Sequence, residues 1–210
     1  KDAGTALAGE FDQYLHKGFN TFPLVWIFIT TPLVVLFLSL VGIVFSTLRL
    51  ISRKEVVYTL ILVWFLVPIV RVSLPGTAIH SGIRHIMEFI PAMAISVGIG
   101  AFGVLKVTKK RLVRVFVYIL MVGGFVFTFW EVARLHPNEN VYFNQFIGGL
   151  SGAKEKGIPY WGYSYGNVYL QGVNWINDNA EEDSKLALPI VNMVNVPRIK
   201  LRPDIDFSNA

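Results

Sequence analysis

Four long apolar runs separated by clusters of charge fill the first two-thirds of the chain, at residues 23–48, 56–70 with an extension to 74, 86–105 and 112–130. A helix needs about 20 apolar residues to cross a hydrocarbon core, within a range of about 17–25. The first, third and fourth runs have that length, and the second reaches it if Arg71 lies at or beyond the interface. A soluble helix seldom stays apolar on every face for so long. The pattern predicts a mainly α fold, a polytopic transmembrane bundle of four crossings over residues 23–133. An exterior segment, residues 1–22, precedes it. A small exterior α/β domain, residues 134–210, follows and stops mid-domain.

The chain is 53% hydrophobic and only 16% charged, yet its net charge is +5. In a soluble protein that balance would point to nucleic acid. Here Lys and Arg gather at the ends of the apolar runs, so topology accounts for them. The aromatics sit apart from these basic clusters, which argues against a nucleic-acid partner. With no cysteine, disulfides, zinc thiolates and thiol nucleophiles are excluded. Residues 1–20 carry acids and glycines where a signal peptide would have a compact apolar stretch.

Charge also predicts orientation. The first connection holds Arg49, Arg53 and Lys54, and the third holds Lys106, Lys109, Lys110, Arg111 and Arg114. The intervening connection, residues 73–85, has Arg84 as its one basic residue besides histidines. Short basic loops stay in the cytoplasm. Both termini of this chain are therefore expected outside, together with the loop at 73–85 and everything after Glu131.

Several residue groups could carry chemistry. The stretch Gly76-Thr77-Ala78-Ile79-His80-Ser81-Gly82-Ile83-Arg84-His85 brings an arginine and two histidines to the outer mouth of the third crossing. A guanidinium there could bind a phosphate through paired hydrogen bonds. Alternatively, Arg84 and His85 anchor the helix at headgroup level by snorkelling. Glu88 falls inside the third run, where acids tend to be functional. It stands four residues after Arg84, so it is expected to pair with and orient that arginine. Near the start, Glu10, Asp12 and His16 lie in a stretch whose Leu7, Phe11, Tyr14 and Leu15 approximate helical spacing. Those acids read either as a general base or as the wet face of an interfacial helix.

After the fourth run come His136-Pro137-Asn138-Glu139-Asn140-Val141-Tyr142-Phe143-Asn144 and, later, Tyr160-Trp161-Gly162-Tyr163-Ser164-Tyr165. Rings and amides of this kind suit a sugar, and they equally suit an interfacial aromatic belt. Residues 168–180 read as a short helix and 186–191 as a strand. No metal-ligand spacing, phosphate-cradling glycine loop or Ser-His-Asp order is present, so neither a metal nor a cofactor is expected.

Taken in order, Arg84-His85, Phe89-Ile90-Pro91-Ala92, His136-Pro137, Tyr142-Phe143-Asn144, Gly148-Gly149, Gly152-Ala153 and Tyr160-Trp161-Gly162-Tyr163-Ser164 resemble motifs of the GT-C membrane glycosyltransferases. The branch they are most similar to is the dolichyl-phosphate-mannose–protein mannosyltransferase-like enzymes of prokaryotes, over roughly residues 75–190. The resemblance implies a multi-pass hexosyltransferase, of which this chain is the C-terminal portion. Such an enzyme moves a sugar from a polyprenyl-phosphate donor to a protein, lipid or glycan acceptor outside the bilayer. It implies a lipid-phosphate site at Arg84, with His85 or His80 assisting. It further implies an acceptor cleft or domain-docking role for Tyr142, Asn144, Tyr160 and Trp161. The family's catalytic Asp belongs to an early exterior loop that no position here matches, so no catalytic residue is carried over. The chain departs from the family at Pro159, where members often have an acid before Tyr-Trp-Gly. The competing expectation is a non-enzymatic membrane protein, a transporter fragment or a membrane-anchored binding or assembly subunit. Pro23, Pro32, Pro68 and Pro91 do not fall into the two matching halves typical of transporters.

Overall fold

A computed structural model describes residues 14–16, 18–75, 77, 82–159, 161–162, 167–187 and 198–206. The chain divides into two compact units, residues 1–134 with 142–162, and residues 135–141 with 163–210.

The first unit is mainly helical. After a short antiparallel pair, Leu15–His16 with Phe19–Asn20, come α1 (Phe22–Thr30), α2 (Leu33–Arg53) and α3 (Val56–Ser73). A 3-10 segment (Gly82–Phe89) then leads into α4 (Ile90–Val107), and α5 (Arg111–Arg134) and α6 (Gly149–Glu155) follow. Four helical stretches are long and apolar enough to cross a membrane: Leu33–Arg53, Val56–Ser73, Ile83–Val107 and Arg111–Arg134. Their outward sides are apolar. Phe37, Val44, Leu60, Leu66, Phe102 and Phe129 are all exposed, as lipid-facing side chains are. None of the described side chains of α5 is buried.

Two sequence expectations are corrected here. Tyr14 and Leu15 do not continue an amphipathic helix, because residues 15–16 pair with 19–20 around Gly18 at φ +84°. The run at 23–48 is not one crossing but two helices, parted at Thr31-Pro32. A residue before proline is driven out of the helical region, and Thr31 is extended at ψ 131°. The nine-residue α1 is too short to span anything. One face (Phe22, Trp26, Ile29) packs with Tyr14, Phe143 and Ala153. Ile27 turns the other way and meets Ile69, Val72, Ile86, Phe89 and Met93.

The tightest packing joins α2 to α4 along a seam of small residues, Ser39, Gly42 and Ser46 against Ser96, Gly100 and Gly103, all buried. In lipid there is no hydrophobic drive between helices, so close backbone approach is what holds them together. The Ser39 and Ser96 hydroxyls donate to carbonyls of their own helices, Leu36 and Ala92, each at 2.9 Å. Those hydroxyls therefore enter the seam already satisfied.

The second unit contains α7 (Asn167–Asn179) and 3-10 turns at Glu139–Val141 and Arg198–Lys200. The α/β character expected of the C-terminal segment is not borne out. The strand read at 186–191 lies mostly outside the described residues. Its two described residues, 186 and 187, are not in a strand; the residue before them makes a single parallel bridge, Lys185 to Asp206, and Pro203 nearby cannot donate to a ladder. The end of α7 is instead clamped by Arg202. Its guanidinium donates to the carbonyls of Asn177 (3.0 Å), Ala180 (3.1 Å) and Glu181 (2.9 Å), and grips the Asp204 carboxylate at 2.7 and 2.9 Å. The Arg202 hydrogen bond holds the Asp204 carboxyl below the usual aspartate value of 3.8, with the Asp183 backbone N–H adding to it. A depressed folded-state pKa stabilises the fold above the unfolded value, and that contribution is lost as pH falls through the folded one. Protection of the amides at the end of α7, relative to their intrinsic exchange rates, is therefore expected to fall as pH drops below the usual aspartate value, and Asp204→Asn to flatten that dependence.

Candidate functional site

The 3-10 segment Gly82–Phe89 explains how the end of the bundle at the start of α4 is built. With three residues per turn, side chains three apart eclipse one another. Ile83, Ile86 and Phe89 therefore share one face and pack inward, Ile86 and Phe89 being buried. Arg84 and Met87 share a second face and are exposed. His85 and Glu88 share the third, and that face meets α3. The Arg71 guanidinium lies there, donating to the Glu88 carboxylate at 2.9 Å and to the His85 carbonyl at 3.0 Å.

The sequence expectation that Glu88 orients Arg84 is corrected by this geometry. A spacing of four stacks side chains on an α-helix, but on a 3-10 helix it turns them about 120° apart. The partner of Glu88 is Arg71, and what Glu88 fixes is the approach of α3 to the 3-10 segment. Arg71 is the member of the site that sequence spacing could not find, since it lies 17 residues away on another helix. Its only visible sign was a cation at the end of an apolar run.

Two residues before Arg71, Ile69 lines an apolar cavity of about 290 Å³ together with Leu24, Phe28, Leu36, Phe65 and Met93. Ile69 is buried and Arg71 exposed, so the cavity and the Arg71 guanidinium lie on different faces of α3. His80, expected to assist Arg84, lies outside the described residues, as does Tyr160. Among the described residues no group of three His, Asp or Glu side chains converges as metal ligands would.

The segment after α5 forms a second constellation. Tyr142 donates to Glu131 at 3.4 Å, and the Gln145 amide donates to the same carboxylate oxygen. Burial first, and then the Glu131 charge, push the Tyr142 phenol up to about 12. Near neutral pH it stays protonated, a donor and not a base. Asn144 is fully buried, its Nδ2 donating to the carbonyls of Phe28 (2.6 Å) and Thr31 (2.8 Å). Trp161 is half-buried against the cluster around Phe22 and Trp26, with the Lys154 ammonium 5.4 Å above its ring. Tyr142 and Asn144 are thus occupied in holding residues 142–146 against α1 and the end of α5. Gly148, at φ +91°, turns the chain from there into α6.

Comparison with family models, with curated proteins and with solved structures gives no match.

Proposed function

We propose that this chain is part of a membrane glycosyltransferase that takes a sugar from a polyprenyl-phosphate donor and passes it to an acceptor on the outer side of the bilayer. The observation that carries the reading is exposed Arg84 on a 3-10 segment whose inward residues, Ile86 and Phe89, pack with Ile69 and Met93, two residues that line the apolar cavity. A polyprenyl phosphate has those two halves, an anionic head and an apolar chain. The basic loops at 49–54 and 106–114 belong inside by the charge rule, which puts the Arg84 mouth outside.

The chemistry follows from the leaving group. When the sugar departs, negative charge accumulates on the phosphate oxygens, and a fixed cation stabilises that charge most where it develops. Arg84 is the exposed donor, and Arg71, tied to Glu88 and to the His85 carbonyl, sets the backbone from which Arg84 projects. His85 shares the face of Glu88 and its Nε2 is buried, so it does not face the side from which Arg84 projects. The acceptor would arrive from the same side, over Tyr142 and Trp161.

The test uses the whole protein in proteoliposomes supplied with a labelled polyprenyl-phosphate sugar. Arg84→Ala is expected to slow transfer by roughly a hundredfold or more, the usual cost of losing one such donor. Arg84→Lys should recover part of the rate, because a point charge replaces the fork. Transfer by Arg84→Ala at the unaltered rate would remove the site, and absence of transfer from any polyprenyl-phosphate sugar would remove the function.

A further inference from the structure

At the opposite end of the bundle α2 and α4 part, leaving an open apolar groove of about 370 Å³. Its walls are Val44, Phe45 and Leu48 from α2 and Gly103, Val104 and Val107 from α4. The seam of small residues explains the opening. Gly103 has no side chain to fill the space, and a Cβ there would just reach the Phe45 ring at 3.6 Å. Thr108 closes the end of the groove, its carbonyl accepting two bonds from the Arg114 guanidinium at 2.9 and 3.2 Å.

Cations crowd this mouth. The stretches 49–55 and 106–114 hold eight Lys and Arg residues against a single acid, Glu55. Arg49 lies over the Phe45 ring at 5.0 Å, with Glu55 3.7 Å away. Lys106 lies over Phe102 at 5.6 Å. Arg53, Lys54, Lys109, Lys110 and Arg111 are exposed. One carboxylate leaves this surface strongly positive, and such a surface attracts anions.

We propose that the groove seats an acyl chain of an anionic phospholipid, with the headgroup phosphate among the Lys and Arg side chains of the two loops. The proposal rests on reading the long helices as membrane crossings and is independent of any transferase activity. An extended peptide fits less well, because its backbone amides would find no partners against these apolar walls. A second copy of the chain would bring the same positive charge and be repelled. A lipid supplies both an apolar tail and an anion, and basic pockets between helices at the cytoplasmic surface are built for that combination.

The experiment places the full chain in nanodiscs of phosphatidylglycerol mixed with phosphatidylcholine, then extracts it and measures retained lipid by native mass spectrometry. The unaltered chain should keep phosphatidylglycerol over phosphatidylcholine. The triple variant Lys109→Gln/Lys110→Gln/Arg111→Gln, at exposed positions, should weaken phosphatidylglycerol retention by roughly a hundredfold at low salt. Val107→Trp, which fills the groove and leaves every charge in place, should lower retention of both lipids. Unaltered elution and melting of each variant show that the bundle is intact. Equal retention of the two lipids by the unaltered chain, or a triple variant that still selects phosphatidylglycerol, overturns the proposal. Val107→Trp with full retention would also overturn it, since headgroups alone would then hold the lipid.

Discussion

Substituting Gly42 by leucine is expected to destroy the bundle, with the variant aggregating on extraction or melting far below the unaltered chain. A Cβ at Gly42 would lie 1.8 Å from the Ser96 carbonyl oxygen, and one at Gly100 would lie 1.9 Å from the Leu38 carbonyl oxygen. Both obstacles are backbone, so no rotamer change relieves them, and the helices must separate. Overpacking of a tight core costs about 1–3 kcal/mol, occasionally more, even when side chains can shift. Two helix backbones that must move apart lie at or above the upper end of that range. In lipid the loss is compounded, because water does not push the separated helices back together. Even Gly42→Ala should melt well below the unaltered chain in a micelle thermal scan. Gly98 supplies the control, being on the same helix with nothing within 4 Å of its Cβ position. Gly98→Ala should melt at or above the parent, by up to about 1 kcal/mol, since Ala is the better helix former. If Gly42→Ala and Gly98→Ala melt together, the seam does not hold the bundle.

That seam also shows what the sequence conveyed and what it did not. Length and apolarity alone locate the four long helices, because a hydrocarbon core leaves a chain little else to do with 20 apolar residues. Which faces meet is a different matter. Gly42, Ser46, Ser96 and Gly100 stand among Val, Leu and Phe in runs that are apolar all round, so no polar face reveals the direction of the neighbour. The break at Thr31-Pro32 was hidden for a related reason. Pro is tolerated at a helix start and inside a span, and Pro68 does sit within α3. Only the partner of the freed carbonyls, Asn144, shows that this proline ends a helix. At the candidate site Arg84, His85 and Glu88 were legible as unusual residues at the head of an apolar run. Their mutual arrangement was not, because it depends on a 3-10 winding, and Ile83, Ile86 and Phe89 at spacing three were its available signal. Arg71 was legible only as a cation near an interface.

Asn144→Ala is expected to be the most damaging change outside the seam. The backbone accounting at the end of α1 shows why. Pro32 has no N–H, so the carbonyl of Phe28, which the fourth residue onward would normally satisfy, is left without its helical donor. Asn144 Nδ2 takes that place at 2.6 Å and also reaches the Thr31 carbonyl at 2.8 Å. The Asn144 backbone N–H meets the Ile29 carbonyl at 2.8 Å, and its Oδ1 accepts from the Phe146 N–H at 3.1 Å. Removing the amide leaves two carbonyls, one of them fully buried, without this donor, at about 1–3 kcal/mol each, so a loss of roughly 2–6 kcal/mol is expected. It should appear as a lowered melting midpoint and as fast amide exchange at Phe146. Asn144→Asp gives a sharper test. An ionised carboxylate there would be buried facing two carbonyl oxygens, which favours the protonated form and raises its folded-state pKa. A group with a raised folded pKa stabilises fully below the unfolded value, and the benefit is lost as pH climbs to the folded one. The Asp variant should therefore melt below Asn144→Ala at neutral pH and recover toward it on acidification, when its O–H can donate to one carbonyl. A melting curve for Asn144→Asp with the same pH dependence as the parent would show that this side chain does not hold residues 142–146 to α1.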